Sequence, residues 1–320
     1  MSADAAALAA FKAQIDAYAL SPLWERRARL VPGSDCVPAV WPYATLRPLL
    51  AQAAELITKT QAERRVLVME NPALRGTSFV TNSLYAGLQI ILPGEVAPSH
   101  RHTPSALRFV LEGEGAYTAV AGVRIAMKPG DFVVTPPWSW HDHGNDGSGP
   151  VVWLDGLDTP FAQLFGAHFR ENHPELRHPL LREPAPQVLH YPFERTCAAL
   201  HVLARGGAPA DPAQGYRLRY GDPARREPPF RSMAAFMQLL PAHFRGTPYR
   251  ATDGAVYSVA EGACRVEMGG RAHSVRARDT FVVPPWETYR FEADADCLLF
   301  SFSDRAAQEA LGYFREEHLP

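Results

Sequence analysis

The pattern of apolar and polar residues changes character near Arg64. Before that residue, apolar positions at helical spacing predict two helices, over about 3–20 and 45–60, separated by a proline-bearing segment. From Arg64 to about residue 160, short runs rich in valine, isoleucine, leucine and aromatic residues are punctuated by glycine, proline and asparagine. Such runs predict many short antiparallel strands, closed into a barrel or jelly roll.

The rest of the chain predicts a connector and a second strand-rich block. A helical pattern over 161–173 is followed by proline-rich loops, and further strand-like runs extend from about residue 243 to 303. Ser303 and Asp304 can cap a final helix whose alanines and glutamates favour that state. We therefore divide the chain into an N-terminal helical segment (1–63), a first barrel (64–160), a connector (161–240), a second barrel (241–303) and a C-terminal helix (304–320).

The second barrel repeats the sequence of the first. When PPW at 136–138 is laid on PPW at 284–286, GDFVVTPPWSWH aligns with RDTFVVPPWETY, and a similar offset aligns HRHT at 100–103 with YRAT at 249–252. This repeat predicts two related barrels in one chain. It also places other side chains where the first half carries three histidines. The replaced histidines are His100, His102 and His141, and their counterparts are Tyr249, Ala251 and Tyr289.

The three histidines of the first half are candidate metal ligands. His100 and His102 share one side of a strand because side chains alternate with period two, and His141 would complete the site from a neighbouring strand. A lone HxH pair is more often an ordinary surface or core feature. The third histidine, and the joint loss of all three from the repeat, favour metal binding. Imidazole suits Zn, Cu, Fe and Ni, so the ligands alone do not select the metal.

Composition excludes several classes of function. The 320 residues include 47% hydrophobic residues, enough for a substantial core, and the net charge of −2 gives no basic surplus for nucleic-acid binding. The N-terminus has no signal-peptide pattern, and no apolar run reaches the roughly 18 residues of a membrane span, so we expect a cytoplasmic protein without membrane contact. The four cysteines are widely spaced and predict unpaired thiols.

The glycines, proline and histidines of the first half resemble the two cupin motifs, with Ala106 at the position of the usual glutamate and Trp138 at that of a usual glycine. The stretches HRHTPSALRFVLEGEGAYTAV, KPGDFVVTPPWSWHDHGN and PVVWLDGLD resemble gentisate 1,2-dioxygenases and their salicylate- and hydroxynaphthoate-cleaving relatives, from about Arg64 onward. The resemblance implies a mainly β bicupin, built of two double-stranded β-helix (jelly-roll) barrels with an N-terminal helical segment and a C-terminal helix.

The resemblance also implies a reaction. In that family the three histidines bind Fe(II), which the substrate chelates through its carboxylate and ring hydroxyl while dioxygen takes the remaining position. Both oxygen atoms are incorporated, and the ring opens between the carbons that bear those two groups, so that gentisate gives maleylpyruvate. Because the second half lacks the histidines, we expect one Fe(II) per chain, all of it in the first barrel. The family relationship further implies a homo-oligomer, specifically a tetramer.

Two further side chains are candidates for catalysis on grounds of strand parity. Arg108 has the parity of His102 and should point toward the substrate, where a guanidinium would bind a carboxylate in bidentate fashion. Its structural alternative is a salt bridge at the barrel end. His143 has the parity of His141 and resembles the family residue that hydrogen-bonds the substrate, whereas a solvated loop histidine is the alternative.

The remaining candidates come from neighbouring strands. Tyr85, Gly87 and Gln89 share a face, and the glycine would let an aromatic ring approach the backbone closely. The family pattern adds three residues near the substrate. These are Trp153 and the catalytic candidate Asp155, which share a face, and Arg64, which would give a second carboxylate contact.

Three alternatives to a gentisate dioxygenase stay open from the sequence. Tyr85 stands where some relatives carry tryptophan, and Pro104 where several carry glutamine, so the substrate could instead be salicylate or 1-hydroxy-2-naphthoate. A second alternative is a Zn- or Mn-dependent cupin isomerase or hydrolase, which would not consume oxygen. A third is a non-catalytic binding or storage bicupin, although an open three-histidine face with an inward arginine has no obvious use in storage.

Overall fold

A computed structural model describes residues 3–58, 61–181, 188–222 and 228–320. The chain divides into two compact units, residues 1–32 and 33–320. The first contains helix α1 (Ala3–Asp16), rich in the strong helix former alanine, and a 3₁₀ turn at Leu23–Glu25. The helix predicted over 3–20 ends at Asp16 because Ala19 takes a positive φ of 55°.

The second unit is mainly β. Its helices are α2 (Tyr43–Leu56), α3 (Thr159–Leu164), α4 (Phe193–Arg205) and α5 (Arg305–Ala310). Its strands up to residue 172 are β1 (Ala39–Trp41), β2 (Arg65–Val68), β3 (Tyr85–Ile91), β4 (Val96–His102), β5 (Ala106–Glu112), β6 (Ala116–Val120), β7 (Val123–Ala126), β8 (Phe132–Thr135), β9 (His141–Asn145), β10 (Val151–Leu157) and β11 (Arg170–Asn172). Those that follow are β12 (His190–Tyr191), β13 (Tyr216–Arg219), β14 (Ala234–Leu240), β15 (Phe244–Arg245), β16 (Tyr249–Ala251), β17 (Ala255–Glu261), β18 (Ala263–Met268), β19 (Arg271–Arg276), β20 (Thr280–Val283), β21 (Tyr289–Ala293), β22 (Cys297–Ser303) and β23 (Glu316–His318).

Antiparallel sheets build two barrels, which confirms the predicted two-barrel, mainly β fold. The first barrel combines the sheet β12-β8-β5-β10-β3-β2 with the sheet β11-β4-β9-β6-β7. The second combines β1-β20-β17-β22-β14-β13 with β19-β18-β21-β16-β23. One sheet of each barrel contains a strand from the opposite half of the chain, since β1 pairs with β20 and β12 pairs with β8.

The structural repeat is longer than the repeat visible in the sequence. Apart from the extra strand β15, the elements from β1 to β11 recur in the same order from β12 to β23, with α2 and α3 matched by α4 and α5. The last strands also match, because β11 pairs with β4 as β23 pairs with β16. Parts of the predicted helical segment (1–63) and connector (161–240) are therefore equivalent pieces of the two repeats.

Two of the predicted helices are too long. The helix predicted over 161–173 is limited to α3, because residues 170–172 form strand β11. The C-terminal helix predicted over 304–320 ends at Ala310, Gly312 has a φ of +74°, and the chain returns as β23. In both places an extended segment covers the exposed edge of a barrel strand, a tertiary pairing that local helix propensity does not encode.

The cores follow the alternation of side chains along the strands. On β5, Leu107 and Phe109 point out of the first barrel into an apolar core shared by both barrels, where Phe109 stacks on Phe300 with ring centroids 4.2 Å apart. Val110, with the opposite parity, belongs to the interior of the first barrel. Because both faces of this sheet are buried, Arg108, which has the parity of Val110, enters the barrel interior.

The described chain also answers two expectations drawn from composition. All four cysteines are free thiols, and Cys36, Cys264 and Cys297 are buried, as their wide spacing predicted. In the parts of the chain that the structure describes, no helix has the length and apolar character needed to cross a membrane. Many of the buried polar and charged side chains lie in the first barrel, and these residues include the candidate functional site.

Candidate metal centre and active site

Strands β4 and β9 bring the three candidate ligands together. His100 and His102 lie at the end of β4, His141 begins β9, and the ladder places His100 opposite His141. All three side chains are buried, and their potential ligand atoms lie within 4.8 Å of one another. The ring centroids are 4.2–5.5 Å apart, so the three imidazoles converge on one point.

Backbone carbonyl groups fix the tautomer of each histidine. The Nδ1 atoms of His100, His102 and His141 lie 2.9, 2.7 and 2.8 Å from the carbonyl oxygens of residues 98, 104 and 139. A carbonyl oxygen can only accept a hydrogen bond, so each Nδ1 carries the proton and each Nε2 keeps a lone pair. Nε2 of His141 is buried and has no hydrogen-bond partner within the described chain. Oriented in this way, the trio fits a divalent metal ion.

Burial keeps these imidazoles neutral. It lowers the pKa of His100 to about 2 and that of His102 to about 4, and it holds the pKa of His141 well below its usual range. The Arg64 guanidinium adds to the effect at His100, and its Nη1 donates to His100 Nε2 at 3.0 Å, a hydrogen bond that a metal ion would displace. Protons therefore do not compete with a metal for the Nε2 lone pairs at neutral pH.

Arg108 lies in the cavity wall and is also ion-paired. Its side chain is 3% exposed, it donates to Thr135 Oγ1 at 2.6 Å, and its Nε lies 3.6 Å from Oδ1 of Asp155 on the adjacent strand β10. Contrary to the prediction from their common parity, His102 and Arg108 do not share one strand face, because residues 103–105 separate β4 from β5. The two side chains nevertheless line one cavity, since both strands belong to the same barrel.

His143 forms a hydrogen bond with Arg108. It is fully buried on β9, and its Nε2 lies 3.0 Å from Nη2 of Arg108. Because arginine can only donate, this Nε2 accepts, and the protonated Nδ1 donates to Thr118 Oγ1 at 2.8 Å. The alternative of a solvated loop histidine is therefore wrong. His143 hydrogen-bonds Arg108 and is not among the residues that line the cavity.

The cavity beside the histidines has a volume of about 660 Å³, large enough for a single-ring or double-ring acid. Of the candidates from the sequence, Arg64, Tyr85, Gln89, Arg108 and Asp155 line it together with His102. Burial lowers the pKa of Arg108 to about 10 and raises the pKa of Asp155, an effect that the Arg108 guanidinium opposes.

Trp153 does not line the cavity, contrary to the sequence-based expectation. It is fully buried in the barrel core, and its indole Nε1 donates to Asp155 Oδ1 at 3.0 Å. Trp153 and Asp155 share a strand face, as parity predicted, but the tryptophan lies deeper in the barrel. Its role is to orient the carboxylate that faces Arg108.

The sequence did not indicate one wall of the cavity. Gln163, His168, Phe169 and Arg170 all line it, and Arg170 donates to Glu63 at 2.7 Å. These residues fall where the sequence predicted a connector helix. Only the full-length repeat could have indicated these residues, because it matches their segment with the extended segment near the C-terminus.

Gly87 provides space next to Tyr85. A Cβ atom at this position would lie 2.7 Å from Val66 Cγ1 and 2.8 Å from Tyr85 Oη, closer than side-chain carbons pack. We expect Gly87→Ala to displace the Tyr85 ring and raise KM for the aromatic substrate several-fold while metal content stays unchanged. Gly149→Ala, where nothing lies within 4 Å of the added carbon, should behave like the wild type in the same steady-state assay. Equal KM values in the two variants would contradict this role of Gly87.

Comparison with known proteins agrees with this geometry. Residues 87–156 match the family model described as Cupin domain. The chain is 42% identical to gentisate 1,2 dioxygenase 1 of Aquipseudomonas alcaligenes over 96% of this chain and 95% of the relative. It is 35% identical to a gentisate 1,2-dioxygenase of a Streptomyces species, with 92% and 91% covered.

Solved structures extend the comparison to the whole fold. The crystal structure of salicylate 1,2-dioxygenase from Pseudaminobacter salicylatoxidans superposes with a TM-score of 0.89 and 31% identity, covering 97% of both chains. Similarity at these levels spans both barrels and the segments that join them. Together with three converging imidazoles in one barrel and their absence from the other, it shows that the chain belongs to the gentisate 1,2-dioxygenase family of ring-cleaving cupin dioxygenases.

Proposed function

We propose that the protein is an Fe(II)-dependent dioxygenase that cleaves gentisate between its carboxyl- and hydroxyl-bearing carbons to give maleylpyruvate. The observation that carries the proposal is a cavity lined by His102, one of three converging neutral imidazoles, and by two arginines, Arg64 and Arg108. This arrangement suits an aromatic acid that uses its carboxylate and adjacent hydroxyl as ligands. The 42% identical relative is named as a gentisate dioxygenase, which supports the choice of substrate.

The proposed metal is iron, held by His100, His102 and His141. Histidine ligands also suit zinc, but zinc has no redox chemistry, whereas a reaction that consumes dioxygen requires it. When bound, Fe(II) would supply open coordination positions and the redox chemistry that joins substrate to dioxygen. The protein's own contribution is to place the substrate, exclude water and balance charge.

The arginines bind the substrate carboxylate in this proposal. Arg108 keeps unused N–H donors, because each Nη atom gives one hydrogen bond, to Thr135 and to His143, and its buried Nε has no hydrogen-bond partner in the described chain. Arg64 adds a second positive charge to the same cavity. A carboxylate between them would gain charge-assisted hydrogen bonds in a largely buried setting.

Tyr85 and Gln89 would recognise the rest of the ring, while Asp155 would hold Arg108 in place. Burial raises the pKa of Tyr85, so its phenol stays protonated at neutral pH and can donate to the second ring hydroxyl or pack on the ring. Gln89, 3% exposed, offers both a donor and an acceptor in the same wall. Asp155 balances the charge of Arg108 and keeps the guanidinium oriented.

An oxygen electrode tests the substrate directly. Fe(II)-loaded protein is expected to consume oxygen fastest per active site with gentisate and to form a yellow keto-acid product, followed by absorbance. Salicylate lacks the para hydroxyl and is the poorer electron donor, so its rate should be lower, as should that of 1-hydroxy-2-naphthoate. A higher kcat/KM for salicylate would assign the enzyme to the neighbouring activity, and no oxygen uptake with any of the three would favour a non-oxidative cupin.

We also propose that the protein is a homo-oligomer, specifically a tetramer. The segment 164–181, which follows α3, exposes several large apolar side chains to solvent. Leu164 is 77% exposed, Phe165 74%, Phe169 55% and Leu181 58%. Contiguous exposed apolar residues favour contact with another protein surface, and a second copy of the chain is the partner that the family resemblance indicates.

A further inference from the structure

The second barrel contains a cavity at the position that the metal cavity occupies in the first. Its volume is about 320 Å³, and it is lined from β13, β16, α5 and β23, the counterparts of β2, β4, α3 and β11. Tyr249, on its wall, stands at the place of His100 and pairs with Tyr289 as His100 pairs with His141. The repeat has therefore kept a cavity while losing the metal ligands.

The residues of this second cavity do not form a metal site. Tyr249 donates its hydroxyl to Glu316 at 2.5 Å, and the hydroxyl groups of Tyr289 and Tyr257 are 2.8 Å apart. Burial raises the pKa of Tyr289 well above its usual range, so this phenol does not ionise at neutral pH. Ala251, in place of His102, offers no ligand atom.

Most charged groups around the cavity neutralise one another. Arg305 pairs with Glu316 at 2.7 Å and with Glu309 at 3.1 Å, and Glu309 also pairs with Arg219 at 2.7 Å. Asp211 uses Oδ1 to accept two backbone N–H groups, both at 2.8 Å, in its own turn. His318, the remaining titratable group on the wall, packs edge-on against the Tyr249 ring.

Arg217 is the remaining cationic side chain of the cavity wall. It lies on β13 in the cavity wall, with its guanidinium 3.7 Å from the centroid of the Phe236 ring. Its Nε is buried and has no hydrogen-bond partner across the described ranges. A cation held on an aromatic ring at the edge of a cavity is suited to an anionic ligand.

Gln214 supplies a second unused group. Its side chain is 3% exposed, and its Nε2 donates to the Tyr289 hydroxyl at 3.1 Å, which fixes the amide. The other amide atom, Oε1, is buried and accepts no hydrogen bond from any described residue. Buried acceptors are normally satisfied, so this oxygen points to a donor that a ligand would bring.

We propose that the second barrel binds a small hydroxycarboxylate, whose carboxylate pairs with Arg217 and whose hydroxyl donates to Gln214 Oε1. A volume of about 320 Å³ accommodates a single-ring acid. The site needs neither the metal nor the arginines of the first barrel, so it stands independently of the function proposed above. It is a binding site without turnover, because no metal ligands accompany it.

Equilibrium dialysis with radiolabelled salicylate tests the site in the full chain, loaded with Fe(II) and kept free of oxygen to prevent turnover. The wild type should bind two molecules per chain, and Arg217→Met and Arg108→Met should each bind one. Arg245→Met is the matched control, because Arg245 also belongs to the second half of the chain but pairs with Asp294 and does not line the cavity, and this variant should still bind two. Gln214→Leu should weaken the second site by roughly two- to tenfold, the effect of one neutral hydrogen bond.

Thermal melting followed by circular dichroism must show each variant folded. If folded Arg217→Met still binds as many molecules as the wild type, or if Arg108→Met removes all binding, the second-barrel site does not exist. An unchanged affinity in Gln214→Leu would remove the assigned hydroxyl contact and overturn the proposed ligand class. A wild type that binds a single molecule, lost in Arg217→Met alone, would support this site while contradicting substrate binding at the first.

Discussion

The His102→Ala variant is expected to lose bound iron and oxygen uptake together. Two imidazoles no longer define one face of a metal ion, and even the loss of an outer hydrogen-bond partner typically weakens metal affinity by about 10–100-fold. We therefore expect the iron affinity of this variant to fall by more than about 100-fold, and turnover to fall with it. Elemental analysis of the purified protein and an oxygen electrode measure the two quantities.

The matched control for His102→Ala is Tyr289→Phe in the second barrel. Tyr289 occupies the position of a metal ligand in the repeat, but its hydroxyl bonds only to Tyr257 and Gln214 among the described residues. The control should keep one iron per chain and lose some thermal stability. Two irons per wild-type chain, or loss of iron from a folded Tyr289→Phe, would place metal chemistry in the second barrel.

The Arg108→Ala variant should keep its iron but lose both stability and substrate affinity. Removal of one partner from a buried ion pair typically costs about 3–5 kcal/mol, because the remaining charge, here Asp155, has no compensation. Loss of a charge-assisted hydrogen bond to the substrate carboxylate should cost about 1.5–3 kcal/mol, a rise in KM of roughly tenfold to more than a hundredfold. Urea unfolding, steady-state kinetics and elemental analysis measure the three effects.

A double variant separates the two roles of Arg108. Arg108→Met with Asp155→Leu removes both charges, so it should recover most of the stability while the high KM remains. Burial raises the pKa of Asp155, and without Arg108 this pKa rises further. The stability of the single variant should therefore decrease as pH rises through the folded-state pKa, where the carboxylate must ionise. An unchanged KM, or loss of iron from the single variant, would contradict a substrate contact.

The convergence of the three histidines was predictable because these residues follow local rules. Alternation along a strand places His100 and His102 on one side, and the aligned PPW segments identify His141 and its replacement Tyr289. The same rules identified both barrels, since each strand-rich run carries its own turns. Local pattern therefore fixed the position of the ligands without any knowledge of the tertiary structure.

The depth of a side chain within the barrel, and the pairing of strands that are distant in sequence, were not predictable in this way. Parity places Trp153 and Asp155 on one strand face but does not say which reaches the cavity and which is buried beneath it. Strands β11 and β23 are three residues long, and they pair with partners more than 60 residues away in sequence. Short segments of that kind have no period of their own, so their helix-like composition misled the prediction.

The exchange of first strands between the two halves constrains how the protein is made. Strand β1 ends at Trp41, but its partner β20 begins only at Thr280, so the second barrel is incomplete until most of the chain has left the ribosome. The first barrel likewise waits for β12. Contacts of such long sequence separation slow folding and leave strand edges open in the nascent chain. A chain cut between the halves would leave both barrels without an edge strand, because each half completes a sheet of the other.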